Sequence, residues 1–444
     1  MLTAKKILSF MLCCALLLTC TIGSISAATT GDVDIDVSYD SPCLFAVTDA
    51  DFSYKTQGRT FIDTNKKLLF MNSSASTFEF NADCANDVVV EFLAENVTDK
   101  CFFTVIVDGV VQDRDKCVIV EDGVTQVTIA EGLAPGKHTF KFIRQSDPVA
   151  ASVGVASLKL SGRMLAADKQ NSVIEFVGDG ITTAVGNIGN ADSTPADSTN
   201  FQDATKGYAY LTAQKMSRDL SIVGVKDMTI ATGTKLAKDI YPLQNYPFDK
   251  TTKYQSETGA DIVVISLGSE DMAKYAEASL TEEQLKAEFA ALLQQVSQAN
   301  PAAQVVWAYG MKDKAAENII KEVVAEAGGQ EKNFYSVDLS VNSTLSGAGN
   351  NLSAEDHALI ADKLYEFLTS ISFVPGDING DKLVDLSDVA TLSQYCAAWE
   401  NITYLEAALD PNGDGVCNLS DVAHLAQYLA GWENVNLSVK PYRK

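Results

Sequence analysis

Two stretches, Asp377-Ile-Asn-Gly-Asp-Lys-Leu-Val-Asp-Leu-Ser-Asp388 and Asp410-Pro-Asn-Gly-Asp-Gly-Val-Cys-Asn-Leu-Ser-Asp421, carry oxygen-bearing side chains at the same spacing. Each runs into a similar apolar segment, residues 386–401 in the first copy and 419–434 in the second, at an offset of 33 residues. A match that close over sixteen positions indicates an internal duplication of a loop–helix unit. We therefore predict a small all-α domain over residues 374–437.

The duplicated loops have the donor pattern of calcium sites. Ca²⁺ takes about six to eight oxygen ligands, and a twelve-residue loop supplies them from positions 1, 3, 5, 9 and 12 and from the carbonyl at position 7. The predicted ligands are Asp377, Asn379, Asp381, Leu383, Asp385 and Asp388 in the first loop, and Asp410, Asn412, Asp414, Val416, Asn418 and Asp421 in the second. Solvated acidic turns are the alternative, but two copies with identical spacing favour two calcium ions.

Both loops end with Asp at position 12, where an ordinary EF-hand has a bidentate Glu. The segment thereby resembles the dockerin module of cellulosome proteins. The resemblance implies a cohesin module of a scaffold protein as partner and, because the copies are nearly identical, binding in two orientations. It places at the contact Leu386, Ser387, Leu419 and Ser420. Lys382 replaces the usual Gly at position 6, so we expect the first site to be the weaker one.

The N-terminus has the layout of a cleavable secretory signal: Lys5 and Lys6, an apolar run from Ile7 to Leu18, then small residues. We predict a signal peptide over residues 1–28 and a secreted, extracellular protein with no membrane segment after cleavage. Lipid attachment at Cys20 is the alternative. The formal net charge of −24 argues against nucleic acid or an anionic membrane as partner.

Six cysteines remain after the predicted cleavage: Cys43, Cys84, Cys101, Cys117, Cys396 and Cys417. Their spacing is not a zinc pattern, since no CxxC occurs after the signal and the histidines are scattered. Disulfides are possible in an exported protein, but an anaerobic habitat would leave thiols. Both states stay open at this point.

Two further domains are expected between the signal and the duplicated loops. Residues 30–165 contain short β-rich runs with turn signals, such as Val88–Phe92 and Phe102–Val107 followed by Asp108-Gly109; this pattern predicts a jelly-roll-like β-sandwich. Residues 168–371 instead alternate helical segments with continuous apolar runs, namely Val173–Val177, Ile262–Leu267 and Val305–Ala308, and Thr281 and Gln284 form a capping box before one helical segment. Such runs are typical of strands in a parallel sheet buried on both faces, so we predict a three-layer α/β domain.

Four stretches of the α/β region resemble the sequence blocks of SGNH-type esterases: Glu175-Phe-Val-Gly-Asp-Gly-Ile-Thr182, Ala231-Thr-Gly-Thr234, Val264-Ile-Ser-Leu-Gly-Ser-Glu-Asp271 and Gly347-Ala-Gly-Asn-Asn-Leu-Ser-Ala-Glu-Asp-His357. Together with the β region in front, residues 40–370 are similar to carbohydrate esterase family 2, whose members remove acetyl groups from plant polysaccharides such as xylan. The resemblance implies plant cell-wall polysaccharide as a ligand.

The family's catalytic residues are replaced at their matching positions. The nucleophilic serine falls on Gly180, the histidine base on Asn351, the aspartate that orients that base on Gly349, and the oxyanion-hole asparagine on Glu270. Acyl transfer needs a nucleophile and a base, so we expect no catalytic residue and an inactive esterase fold. A rewired site using Thr182, Thr183 or His357 and metal-assisted hydrolysis are alternatives.

A cleft that has lost its catalytic groups can keep a sugar-binding surface, and Trp307, Tyr309 and Tyr246 are candidate stacking platforms. The leading interpretation is a cellulosomal binding or accessory module on an acetyl-esterase fold. An active polysaccharide O-deacetylase with unconventional catalytic residues is the runner-up, and a purely structural dockerin-bearing subunit is the third.

Overall fold

The computed structural model describes residues 37–438 and Tyr442, except residues 51, 257–258, 373, 382 and 401. The chain divides into two compact units, Val37–Leu364 and a second that contains Tyr365–Lys444. The predicted signal peptide and Lys382 lie outside the described residues. Over the residues that are described, no helix is long and apolar enough to cross a membrane.

An antiparallel β domain forms the N-terminal part of the first unit. Its strands are β1 (Cys43–Ala46), β2 (Lys55–Gln57), β3 (Phe61–Asp63), β4 (Leu68–Phe70), β5 (Thr77–Glu95), β6 (Cys101–Val107), β7 (Val110–Val111), β8 (Val118–Ile119), β9 (Gly123–Arg144) and β10 (Ser152–Met164). In the described chain all of them belong to one sheet, with β10, β5, β9 and β6 as central neighbours.

The alternation that predicted these strands also builds their core. Residues of β5 face inward at every second position, and Phe80 stacks on its cross-strand partner Phe140, with ring centroids 4.7 Å apart. The register of β5 shifts near Cys84–Val89, and such bulges bend a strand. Long, bulged strands therefore let one continuous sheet enclose a common core, where the sequence predicted a two-layer sandwich.

The α/β domain follows. Its strands are β11 (Val173–Gly178), β12 (Asp219–Gly224), β13 (Leu243–Asn245), β14 (Asp249–Lys253), β15 (Ile262–Ser266), β16 (Gln304–Tyr309) and β17 (Phe334–Asp338). Its helices are α1 (Tyr208–Lys215), α2 (Ala237–Ile240), α3 (Ser269–Lys274), α4 (Glu282–Ala299), α5 (Glu317–Glu326) and α6 (Ala354–Ser372).

A parallel sheet of order β12-β11-β15-β16-β17 is the centre of the α/β domain. The apolar runs predicted β11, β15 and β16, whereas β12 and β17 were not identified from the sequence. Helix α4 begins with the predicted capping box of Thr281 and Gln284, and it buries Leu285 and Phe289. The carboxyl ends of the central strands therefore meet at one edge, where open α/β sheets place their sites.

Buried charged side chains join the β domain to the α/β domain. Lys55 Nζ lies 2.8 Å from Asp219 Oδ1, with side chains 6% and 4% exposed. Arg59 pairs with Glu175 at 3.3 Å. Because burying a charge is costly unless it is paired, each partner depends strongly on the other. The two domains are accordingly one compact unit.

The second unit contains the duplicated loops and the helices α7 (Leu386–Cys396) and α8 (Leu419–Leu429). In each copy the ninth and twelfth loop residues form a capping box, Asp385 with Asp388 and Asn418 with Asp421. A small core packs between the helices and the loops; it includes Ile378, Val389, Leu392, Leu409, Val422 and Leu425.

The junction pair gives a first prediction. Lys55→Met removes the cation that pairs with Asp219 and leaves the Asp219 carboxylate buried. We therefore expect the free energy of unfolding to fall by about 3–5 kcal/mol. Lys66→Met is the matched control, because the Lys66–Glu95 pair is 44% and 39% exposed and such pairs contribute about 0–1 kcal/mol. Urea unfolding of the full chain in calcium measures both; equal losses would contradict the role of burial.

Candidate functional site

Strand β11 ends at the turn that holds the nucleophile position. Gly178 is its last residue, and Asp179 and Gly180 follow. A Cβ built on Gly180 would meet Val185 Cγ2 at 3.5 Å and Lys226 Cγ at 3.7 Å, which are ordinary van der Waals distances. The backbone therefore leaves room for a side chain at this position, and the sequence supplies none.

Asp179 is a functional candidate that the sequence did not identify. The pKa of its carboxyl group is raised to about 7; burial is the main cause, the charge of Glu270 adds to it, and the Ile181 N–H and Lys312 oppose the shift. The Ile181 N–H donates to Asp179 Oδ1 at 2.9 Å. A cavity of about 30 Å³ borders this carboxyl group and is lined also by Ser266. In the sequence, the only signal for this candidate was that it is the acidic residue of the Gly178-Asp179 pair.

The hydroxyl groups and the histidine proposed for a rewired site are all engaged elsewhere. Thr182 Oγ1 lies 2.9 Å from the hydroxyl oxygen of Tyr208, and Thr183 Oγ1 donates to Asp147 Oδ2 at 3.0 Å. His357 Nδ1 accepts the backbone N–H of Tyr208 at 3.2 Å. Because His357 is buried, its pKa is lowered to about 4. This histidine is therefore a packing residue.

Glu270 stands in the first turn of α3, beside the nucleophile position. Its carboxylate pairs with Lys274 at 2.6 Å on a half-exposed surface, and its charge acts on Asp179. Residue 270 thus presents negative charge at the position where the resemblance to family 2 esterases led us to expect an amide donor. Tetrahedral intermediates carry an oxyanion, which such a charge repels.

Gly349 and Asn351 lie in a tight turn next to Gly186. The Asn351 Nδ2 donates to Ala348 O at 2.9 Å, so the amide closes its own turn. Gly349 has φ +63°, and a Cβ there would lie 2.4 Å from Ala196 Cβ. The observed backbone therefore leaves no room for an aspartate side chain at residue 349.

Two buried aspartates organise the surrounding loops and were missed from the sequence. Asp147, from the β domain, accepts the Lys226 N–H at 2.9 Å as well as the Thr183 hydroxyl. Asp271 accepts the backbone N–H groups of Ile230 and Ala231 at 2.9 and 2.8 Å. Asp271 thereby ties the second family block to the third.

The aromatic candidates differ in their exposure. Trp307 is 0% exposed, stacks on Phe289 at 5.2 Å and donates its indole N–H to Leu267 O, so its prediction as a sugar platform is wrong. The position of Trp307 in a continuous apolar run already favoured packing in the core. Tyr309 is only 8% exposed. Tyr246 is half-buried, with Lys250 Nζ 6.0 Å from its ring centroid, and it alone of the three retains an accessible face.

The second loop brings three predicted calcium ligands together. Carboxylate oxygens of Asp410, Asp414 and Asp421 lie within 4.8 Å of one another. Burial, followed by the charges of Asp410 and Asp414, raises the pKa of Asp421. Repulsion among close carboxylates is relieved by a divalent cation, and all-oxygen donors suit calcium. Asn412 and Asn418 adjoin this group, so the residues present fit the ion.

The first loop is arranged less compactly. In the part of the chain that the structure describes, Asp377, Asp381 and Asp388 do not form a comparable group. Asp388 Oδ1 accepts the N–H groups of Ile378 and Asn379 at 2.7 and 3.0 Å. Asp377 Oδ1 accepts the Gly380 N–H at 2.8 Å. Backbone donors thus hold the position 1 and position 12 carboxylates of this loop.

Known families and structures match both units. The dockerin type I domain matches residues 375–430, and the GDSL-like lipase/acylhydrolase family matches residues 174–364. No curated protein matches the chain.

Among solved structures, a family two carbohydrate esterase from Clostridium thermocellum in complex with cellohexaose is 20% identical, with a TM-score of 0.63 over 71% of this chain and 98% of that one. An acetyl xylan esterase from the rumen bacterium Butyrivibrio proteoclasticus is 16% identical, with a TM-score of 0.65 over 74% and 98%. A carbohydrate esterase whose active site displays divergent catalytic and non-catalytic binding functions is 20% identical, with a TM-score of 0.59 over 72% and 98%.

At these identities the solved structures establish the fold alone, which is that of family two carbohydrate esterases across the β and α/β domains. The family matches add the two assignments that the sequence blocks and the duplicated loops predicted. Residues 174–364 are a GDSL-like lipase/acylhydrolase domain, and residues 375–430 are a type I dockerin domain.

Proposed function

We propose that this protein is a secreted component of a cellulosome-type assembly. Its dockerin domain binds two calcium ions and docks on a cohesin module of a scaffold protein. Its esterase-fold region is inactive in acyl transfer and binds plant cell-wall polysaccharide. The observation that carries the proposal is Gly180, which offers only backbone where the fold presents an attacking oxygen.

The surrounding groups support the loss of acyl transfer. A serine-type mechanism needs a hydroxyl near a base that can accept its proton. Thr182 and Thr183 are buried and hydrogen-bonded, and His357 accepts a backbone N–H far from solvent. With Glu270 at the oxyanion side, no step of that mechanism has its group in place.

Sugar binding is supported by the fold and by Tyr246. The fold is shared with an esterase solved with cellohexaose and with one whose active site also binds non-catalytically. Tyr246 keeps an accessible aromatic face, and aromatic faces pack well against the CH surfaces of sugar rings. A dockerin that fixes such a module on a scaffold raises its effective concentration at the substrate.

A second candidate function rests on Asp179. A half-buried carboxyl group with a pKa of about 7 can take a proton from water near neutral pH. The hydroxide formed would attack the acetyl carbonyl directly, and the sugar alkoxide would leave with the proton. This is the unconventional O-deacetylase, in which no acyl-enzyme forms.

Turnover of acetylated xylan and of 4-nitrophenyl acetate separates these two functions. We expect the purified full chain to hydrolyse both no faster than buffer. Gly180→Ser, which the observed space accommodates, should stay equally inactive because the base is absent. The Asp179 mechanism would be established instead if the natural chain turned over substrate and Asp179→Asn removed that activity. Asp192→Asn, on the surface, is the control and should preserve it.

Affinity electrophoresis in xylan, hydroxyethylcellulose and glucomannan tests sugar binding. We expect at least one polymer to retard the chain, and Tyr246→Ala to weaken retardation several-fold through loss of the stacking face. Tyr39→Ala is the control. The Tyr39 hydroxyl donates to Asp83, whose cross-strand partner Arg163 lies near the C-terminal end of β10. Migration unaffected by every polymer would favour a purely structural subunit.

Calcium removal tests the dockerin. We expect EDTA to unfold residues 375–435, so that their helical contribution to the far-UV circular dichroism of the chain is lost. We also expect EDTA to abolish binding to cohesin modules. Asp421→Asn should lower calcium affinity at least about tenfold, because it removes one of three clustered carboxylates. Asp239→Asn, in helix α2, is the charge-matched control. Unchanged helicity and cohesin binding in EDTA would refute this assignment.

A further inference from the structure

Two cysteines meet inside the dockerin domain. Cys396 is the last residue of α7, and Cys417 is the eighth residue of the second loop. Both side chains are partly buried, pack against the same small core and are free thiols. The two thiols are within hydrogen-bonding range of each other.

The duplication shows which residues occupy the equivalent positions in the other copy of the repeat. The repeat mate of Cys396 is Leu429, the last residue of α8, and the repeat mate of Cys417 is Val384 in the first loop. Leu429 and Val384 also pack against this core. Each of the two positions therefore holds an aliphatic packing residue in one copy of the repeat and a cysteine in the other copy.

Cysteine packs about as well as a small aliphatic residue, so one such replacement has a simple packing explanation. Two replacements whose side chains touch each other, one in each copy of the repeat, indicate a paired role. Both lie in a protein whose sequence predicts export, and export favours disulfides. The partners join the end of α7 to the second calcium loop, two elements from different copies.

We propose that Cys396 and Cys417 form a disulfide in the exported protein that cross-links the two halves of the dockerin domain. The two thiols lose two protons and two electrons to a disulfide oxidant, and one S–S bond forms. With oxidised glutathione as that oxidant, each disulfide molecule consumed yields two molecules of reduced glutathione.

The cross-link has a structural consequence for the second loop. Closing the chain between residues 396 and 417 removes conformations from the unfolded ensemble, and it fixes the loop residue between Val416 and Asn418, two predicted calcium ligands. The oxidised domain should therefore lose less structure than the reduced domain when calcium is withdrawn.

Peptide mapping of the natural full chain tests the bond directly. The chain is equilibrated with oxidised and reduced glutathione, alkylated with iodoacetamide and digested with trypsin without reduction. Cleavage after Lys382 and Arg443 releases residues 383–443, since Pro441 blocks cleavage after Lys440; this peptide contains Cys396 and Cys417 and no other cysteine. We expect this peptide unalkylated and about 2 Da lighter than its dithiol form. Alkylation of both residues, or pairing of either with Cys43, Cys84, Cys101 or Cys117, would overturn the proposal.

A variant that restores the repeat supplies the second measurement. Cys396→Leu with Cys417→Val gives each position the residue of its repeat mate, so the fold should persist in calcium. In calcium we expect oxidation to raise the thermal midpoint of the natural dockerin domain by roughly 10 °C and to leave that of the variant unchanged. Equal shifts in both proteins would contradict the cross-link. Calcium dependence of the reduced protein reports separately on the proposed dockerin function.

Discussion

The buried carboxylate of Asp147 is the interaction on which the esterase-fold unit depends. Arg144, itself fully buried, donates from Nη1 to Met71 O at 3.1 Å and from Nη2 to Asp147 O at 3.0 Å, and so holds the loop that presents this carboxylate. Asp147 Oδ2 then accepts the Thr183 hydroxyl and the Lys226 N–H from the α/β domain. Burial raises the pKa of Asp147, and these donors oppose the rise. Since an unpaired buried carboxylate is costly, the loop after Gly180 and the β domain are held together. The Thr183 hydroxyl, three residues after Gly180, therefore has an architectural role.

This constraint gives a physical basis for the proposal that the fold persists without its catalytic groups. Asp147 and Asp271 shape the loops of the α/β domain, and each accepts several hydrogen bonds. The residues that perform acyl transfer contribute little to those contacts, because a nucleophile must keep its oxygen free for substrate. Replacing serine by glycine at residue 180 leaves neighbours at 3.5 Å or more and disturbs no packing. At residue 349 the backbone is left-handed, and a Cβ there would lie 2.4 Å from Ala196 Cβ. The two positions therefore differ, since residue 180 has room for a side chain and residue 349 does not.

Sequence reasoning recovered the features whose signal is local. The loop spacing, the capping box of Thr281 and the apolar runs of β11, β15 and β16 each lie within a few residues, and each is confirmed. The misses involve partners far apart in the chain: Asp147 reaches Thr183 across 36 residues and Lys226 across 79, and no periodicity reports such contacts. Strand β12, Asp219–Gly224, was missed because it begins with the charged partner of Lys55 and contains a serine, so its apolar run is broken. Trp307 was assigned a sugar-binding role that burial excludes, although its place in a continuous apolar run favoured the core.

The dockerin domain shows a different division between surface and interior. The residues implied to face a cohesin are the same in both copies, and Leu386 and Leu419 are both well exposed, at 50% and 69%. Beneath them the copies diverge: among the described residues the second loop groups three carboxylates and the first does not, although backbone N–H groups hold the position 1 and position 12 carboxylates in both loops. The packing positions also differ, since the first half has Val384 and Cys396 where the second half has Cys417 and Leu429. An exposed leucine contributes little to the stability of an isolated domain, so packing alone does not account for its identity in both copies. The proposed docking on a cohesin in two related orientations would account for it, because each orientation would require the same side chains at the contact and would leave the interior of each half free to change.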